Sequence, residues 1–111
     1  MEEELKCNGF AKKVGEYSKE HGWRKNDTRP ADLIAHLHAE ISEVFEEFRK
    51  GHGATEVYYV YGKPEGVPME LADVLITIFD LANYYGIDLE RSVYLKFEYN
   101  KTRPYLNGKV F

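Results

Sequence analysis

The sequence is short of cysteine, of positive charge and of long apolar runs. Its single cysteine, Cys7, cannot form an internal disulfide, which fits a reducing compartment. Fifteen Lys and Arg against 19 Asp and Glu give a formal net charge of −4, which argues against a protein that coats a nucleic-acid polymer. The longest apolar stretch, Val74 to Tyr85, is interrupted by Asp80 and is too short to span a membrane. The acidic start does not resemble a secretory signal, so we expect a cytoplasmic protein without a membrane partner.

Apolar and aromatic side chains, in contrast, are plentiful, at 43% and 14% of the 111 residues. This content supports a packed core and argues against an intrinsically disordered chain. A chain of this length has room for one domain, so residues 1–111 are predicted to form a single helical domain. Because the core of so short a helical chain is thin, we expect oligomerisation to complete it.

Four segments show the spacing of amphipathic helices. They run from about Glu3 to His21, from Pro30 to Lys50, from Pro68 to Gly86, and from Asp88 to about Arg103. The third is apolar around nearly its whole circumference, which predicts burial on nearly all sides. Between the second and third helices, Val57 to Tyr61 resembles a strand, whereas Gly62 to Pro64 resembles a loop. Because one strand makes no sheet, we predict an all-α bundle of four to five helices.

Two pairs of acidic residues have the spacing expected of ligands for a divalent cation. Glu40 and Glu43 on the second helix, like Glu70 and Asp73 on the third, are spaced i and i+3 and so share a helix face. Four carboxylates that converge between packed helices would repel one another, and a divalent cation relieves that repulsion. Mg²⁺ prefers such oxygen ligands and completes its octahedron with water and substrate phosphates. The alternative is a pair of solvated helix surfaces, on which a single Glu-x-x-Glu is common.

The fourth helix offers the complementary charge. Lys96, Asn100 and Arg103 are spaced i, i+4 and i+7, within a sector of about 60°. The two cations on this stripe would hold a triphosphate or a leaving pyrophosphate, and the amide would bond a phosphate or ribose oxygen. The alternative is a basic edge at a helix C-terminus, which the helix dipole favours.

Two further side chains have open roles. Trp23 either stacks on a nucleobase or anchors the core. His36 falls between the acidic residues on the helical wheel, where it is either a partner of a metal ligand or a surface residue.

Taken in chain order, these residues resemble the MazG-like, all-α nucleoside triphosphate pyrophosphohydrolases. The matching elements are Glu40-x-x-Glu43, then Lys63 to Pro68 leading into Glu70-Leu71-Ala72-Asp73, then Lys96-x-x-x-Asn100-x-x-Arg103-Pro104. The resemblance covers about residues 31–109. The long interval between Glu43 and Glu70 lies near the upper end for the family. Asn107-Gly108-Lys109 stands where many relatives carry a His-Gly-Gly-Lys tail.

The resemblance implies a Mg²⁺-dependent hydrolase, with Mn²⁺ as a substitute, that cleaves an NTP or dNTP between the α- and β-phosphates. It also implies a homodimer or homotetramer. The implied metal ligands are Glu40, Glu43, Glu70 and Asp73, and the implied phosphate or sugar contacts are Lys96, Asn100 and Arg103. We expect Glu43 or Glu47 to orient the attacking water. The alternatives are hydrolysis of a related phosphoribosyl nucleotide, such as phosphoribosyl-ATP, and a non-catalytic helical interaction module.

Overall fold

The computed structural model describes residues 5–22 and 29–104. Its elements in chain order are α1 (Asn8–Glu20), α2 (Pro30–Arg49), β1 (Tyr58–Val60), β2 (Lys63–Glu65), α3 (Val67–Tyr84) and α4 (Leu89–Lys101). The four predicted helices are confirmed, with ends shifted by a few residues. Within these ranges, no helix is both long enough and apolar enough to cross a membrane. Trp23 and the tail segment Asn107 to Lys109 lie outside the described residues.

Local signals explain where the helices begin. Pro30 occupies the first turn of α2, where its missing N–H costs no hydrogen bond. Asp88 caps α4, because its carboxylate accepts a 3.0 Å hydrogen bond from the backbone N–H of Arg91. The same carboxylate oxygen accepts a 2.8 Å bond from the Asn8 side chain, which ties the start of α4 to the start of α1.

The segment between α2 and α3 differs from the prediction. Residues 63–65 form a second strand, which pairs antiparallel with β1 so that Tyr58 lies opposite Glu65 and Val60 opposite Lys63. Tyr61 and Gly62 make the two-residue turn, and both have positive φ, at 51° and 81°, as a primed hairpin turn requires.

The prediction of a loop was therefore wrong at Lys63 and Pro64. The proline within β2 obscured the strand, although proline is tolerated because both strands of a two-stranded sheet are edges. The fold is mostly helical, as predicted, but it also contains this small sheet.

Helix α3 is the centre of the domain, and both α1 and α2 pack against it. Cys7, Ala11 and Phe79 form a buried cluster between α1 and α3. Phe10 adds an edge-to-face contact with Phe79, with ring centroids 5.5 Å apart. Gly15 permits this close approach of the helices, because a Cβ there would collide with the side chain of Asn83.

Much of the apolar surface remains exposed within one chain. Burial of α3 on nearly all sides, as predicted, is not reached, because only Val67, Phe79 and Ala82 of that helix are buried. Apolar side chains on α2 and α3 that are at least two-fifths exposed are Ile34, Ile41, Phe45, Phe48, Leu71, Leu75 and Ile76. Helix α4 has no buried residue and makes little contact with the other helices. A single copy thus leaves apolar faces uncovered on three helices.

Candidate functional site

Three of the four predicted metal ligands come together where α2 packs on α3. Glu40 of α2 and Glu70 and Asp73 of α3 each place a carboxylate oxygen within 4.8 Å of the others. Glu40 and Glu70 are half-buried, whereas Asp73 is exposed, so the group opens to solvent on one side. We call these three residues the acid cluster.

The fourth predicted ligand, Glu43, lies outside the acid cluster and is exposed. It is nevertheless close enough to act on it electrostatically. Burial raises the pKa of the Glu70 carboxyl, and the negative charges of Asp73 and then Glu43 raise that pKa further. The crowding of carboxylates expected from the sequence is therefore present, and Glu70 is the carboxylate that it affects.

His36 contacts the acid cluster from the exposed side of α2. Its Nε2 atom lies 3.5 Å from Oε1 of Glu40, one turn away on the same helix, while 59% of its side chain is exposed. His36 is therefore an exposed residue that adjoins a carboxylate of the acid cluster, an arrangement that agrees with both of its open roles.

Glu47 occupies a different environment from the other acidic residues, since it is only 4% exposed. The hydroxyl of Tyr58 donates a 2.8 Å hydrogen bond to its Oε1 atom, and Nζ of Lys50 donates a 3.4 Å bond to Oε2. The Tyr58 hydrogen bond is the main cause that lowers the pKa of Glu47, and the same bond raises the pKa of Tyr58 to about 12. Glu47 is thus a buried, ionised carboxylate.

The charge of Glu47 also acts on Glu70. It raises the pKa of Glu70, as does the charge of Glu65 at the end of β2. The last turn of α2 and the hairpin therefore border the same region as the acid cluster.

The predicted phosphate contacts lie at the end of α4 and just beyond it. Lys96 and Asn100 belong to the helix, whereas Arg103, predicted on the same helix, follows its last residue, Lys101. Nζ of Lys96 lies 5.3 Å from the ring centroid of Tyr99, and the guanidinium carbon of Arg103 lies 5.9 Å from it. Oδ1 of Asn100 accepts a 3.4 Å hydrogen bond from Arg103. Neither Lys96 nor Asn100 bonds to a carboxylate of the acid cluster in the part of the chain that the structure describes.

Sequence reasoning missed the residues that surround Glu47, namely Tyr58, His52 and Lys50. One signal was available, because Glu47 lies about 20° from Glu40 on the helical wheel, beside the apolar stripe. A carboxylate in that position needs nearby donors, and the aromatic segment that follows α2 could supply them. The pattern alone did not indicate which aromatic residue would do so.

The acid cluster has the chemistry of a site for a hard divalent cation. Its donors are carboxylate oxygens from two helices, partly solvated and mutually repelling, and such ligands suit Mg²⁺. The residues present therefore fit the predicted ion. No family model, no curated protein and no solved structure matches this chain.

Proposed function

We propose that the protein is a Mg²⁺-dependent nucleoside triphosphate pyrophosphohydrolase. It would hydrolyse an NTP or dNTP between the α- and β-phosphates, and release a nucleoside monophosphate and pyrophosphate. The observation that carries the proposal is the convergence of Glu40, Glu70 and Asp73 from two helices. The class of reaction comes from the resemblance of the ordered motifs to MazG-like enzymes.

Glu40, Glu70 and Asp73 would hold the ion, and Glu43 would join them by rotation of an exposed side chain. A bound Mg²⁺ would supply charge neutralisation for the phosphate oxygens and a lower pKa for a coordinated water. In its absence the burial of Glu70 beside other carboxylates is unfavourable, as the raised pKa of its carboxyl indicates. Binding of the cation is therefore coupled to relief of repulsion within the acid cluster.

Glu43 or Glu47 would orient the attacking water. The low pKa of Glu47 keeps that side chain ionised and able to accept a hydrogen bond. Glu43 is exposed, and rotation of its side chain would bring its carboxylate toward the acid cluster. Lys96, Asn100 and Arg103 would bind the phosphates or the sugar.

We further propose that the protein is a homodimer or homotetramer. The exposed apolar faces of α2 and α3 support this proposal, as does the scarcity of contacts between α4 and the other described helices. In the assembled protein, we propose, Lys96, Asn100 and Arg103 meet the acid cluster.

The test is pyrophosphate release by the purified full chain from canonical and damaged nucleoside triphosphates and from phosphoribosyl-ATP, with Mg²⁺, with Mn²⁺ and with a chelator. We expect release from at least one nucleoside triphosphate that requires the ion and is lost in Asp73→Asn. The matched control is Glu46→Gln, because Glu46 lies on α2 but pairs with Arg49 at 3.2 Å. Release only from phosphoribosyl-ATP would favour that alternative. The absence of release from every substrate would favour the interaction module.

A further inference from the structure

The β-hairpin reaches back to the buried carboxylate at the end of α2. We infer that Tyr58 is a positioning residue for the proposed hydrolysis: its hydroxyl fixes the carboxylate of Glu47 beside the acid cluster. This inference rests on the proposed function, and it assigns to the hairpin a role that the sequence motifs do not include.

Tyr58 makes the strongest of the contacts to Glu47. A carboxylate that is 4% exposed needs hydrogen-bond donors, because burial without them is costly. Lys50 donates at 3.4 Å from a side chain that is 60% exposed, and Nε2 of His52 lies 3.9 Å from Oε1, beyond hydrogen-bond distance. The 2.8 Å bond from Tyr58 is thus the one contact of ideal length among these three.

Tyr58 is itself held in place before any substrate arrives. Its backbone belongs to β1 and pairs with Glu65 of β2. The imidazole of His52 stacks on its ring, with centroids 4.4 Å apart and planes inclined by 24°. Nδ1 of His52 lies 3.2 Å from Oε2 of Glu56, which fixes the imidazole in turn. Such support holds a functional side chain in one orientation.

The position and contacts of Glu47 leave one of its carboxylate oxygens able to accept a hydrogen bond from water. Glu47 follows Glu40 and Glu43 at i+7 and i+4, so all three lie on one side of α2. Tyr58 engages Oε1, whereas the contact of Oε2 within residues 5–22 and 29–104 is the long one with Lys50, which leaves a lone pair for a water molecule. Loss of the Tyr58 hydroxyl would allow the carboxylate to rotate. That change would affect the chemical step and not the binding of the triphosphate.

The experiment compares Tyr58→Phe with Tyr59→Phe in steady-state kinetics, with a substrate that the wild type hydrolyses. Tyr59 is the matched control, because it is the next residue of the same strand and is 68% exposed. We expect Tyr58→Phe to lower kcat about tenfold or more with KM within about twofold, a typical loss for a residue that supports a ligand or catalytic group. Tyr59→Phe should leave both constants within about twofold.

A second comparison asks whether Tyr58 acts through Glu47. In a Glu47→Gln background, the further change Tyr58→Phe should alter kcat by less than about twofold, since nothing remains to be positioned. A full additional loss in that background would mean that Tyr58 acts independently, and would overturn the inference. Should Tyr58→Phe melt below the assay temperature, this comparison still decides, because the double variant no longer buries a charge at position 47.

The two proposals fail in different ways. An active wild type with an unchanged kcat in Tyr58→Phe would overturn the positioning role and leave the hydrolase proposal standing. A wild type that releases no pyrophosphate from any substrate would overturn the hydrolase proposal, and the positioning role with it. Equal loss in kcat and in affinity for the substrate would indicate general disruption of the site and would also count against positioning.

Discussion

Gly66 lies directly against the backbone carbonyl of Glu56, at the point where the hairpin passes into α3. Its φ is 125°, and a Cβ at this position would collide with that carbonyl oxygen. Gly66 is also the N-cap of α3, four residues before Glu70. Both the backbone conformation and the close approach require glycine here. The contact therefore fixes where α3 begins relative to the preceding loop.

Replacement of this glycine tests how much the contact contributes. We expect Gly66→Ala to lower the free energy of unfolding by about 1–3 kcal/mol, because the strained φ and the collision add together. The control is Gly53→Ala, since an added Cβ there meets only open space. Urea denaturation measures both variants. Equal stability of the two would show that the loop moves away without cost.

The raised pKa of Glu70 predicts how the stability of the metal-free protein depends on pH. The pKa of Glu70 is raised in the folded state, so folding favours its protonated carboxyl. The contribution of Glu70 to stability is therefore complete below the ordinary pKa of a glutamate, and it is lost as the pH rises through the raised pKa. Glu70→Gln should remove this dependence and stabilise the protein at neutral pH. Urea denaturation in chelator from about pH 4 to about pH 8 measures the difference between variant and wild type.

The sign of that difference decides the interpretation. If the stability of Glu70→Gln relative to the wild type increases with pH, the result agrees with a carboxylate that the fold holds in place against repulsion. If that relative stability decreases with pH, the folded protein stabilises the ionised form of Glu70, and this interpretation is contradicted. Glu46→Gln should change little over the same range, because the Glu46 carboxylate pairs with Arg49 at the exposed surface.

Substitution of Asp73 distinguishes between two roles for its carboxylate, that of a metal ligand and that of a structural group. Asp73→Asn should abolish hydrolysis and leave the fold intact, because it removes a charge from the acid cluster. Mg²⁺ at ~100 times its dissociation constant should stabilise the wild type by ~2.7 kcal/mol, and the variant by much less. Thermal melts with and without the ion measure this. A wild type indifferent to Mg²⁺, together with a strongly destabilised variant, would contradict the metal site.

Phe45 tests the proposed oligomer. It is 63% exposed on α2, among other uncovered apolar side chains, so Phe45→Glu should shift the protein toward monomer and lower its melting temperature. The control is Tyr61→Asn, which removes a fully exposed ring from the tip of the hairpin and suits the positive φ there. Sedimentation measures both. A wild type that is monomeric at micromolar concentration would refute the oligomer.

The sequence alone determined what depends on neighbours along the chain. Apolar periodicity predicted four helices, and Pro30 and Asp88 marked two of the starts, because caps and helical faces follow from local geometry. The same geometry placed Glu70 and Asp73 on one face of α3. It also placed Glu40 and Glu43 on one side of α2.

Only the tertiary structure decided which of these faces meet. Helical spacing fixes each side chain relative to its own axis and not relative to a neighbouring helix. The packing of α2 on α3 therefore decides that Glu40, and not Glu43, joins Glu70 and Asp73. The bond from Tyr58 to Glu47 likewise spans 11 residues and depends on a hairpin whose second strand includes a proline. No local pattern encodes that contact, because it exists only once the hairpin folds back onto the end of α2.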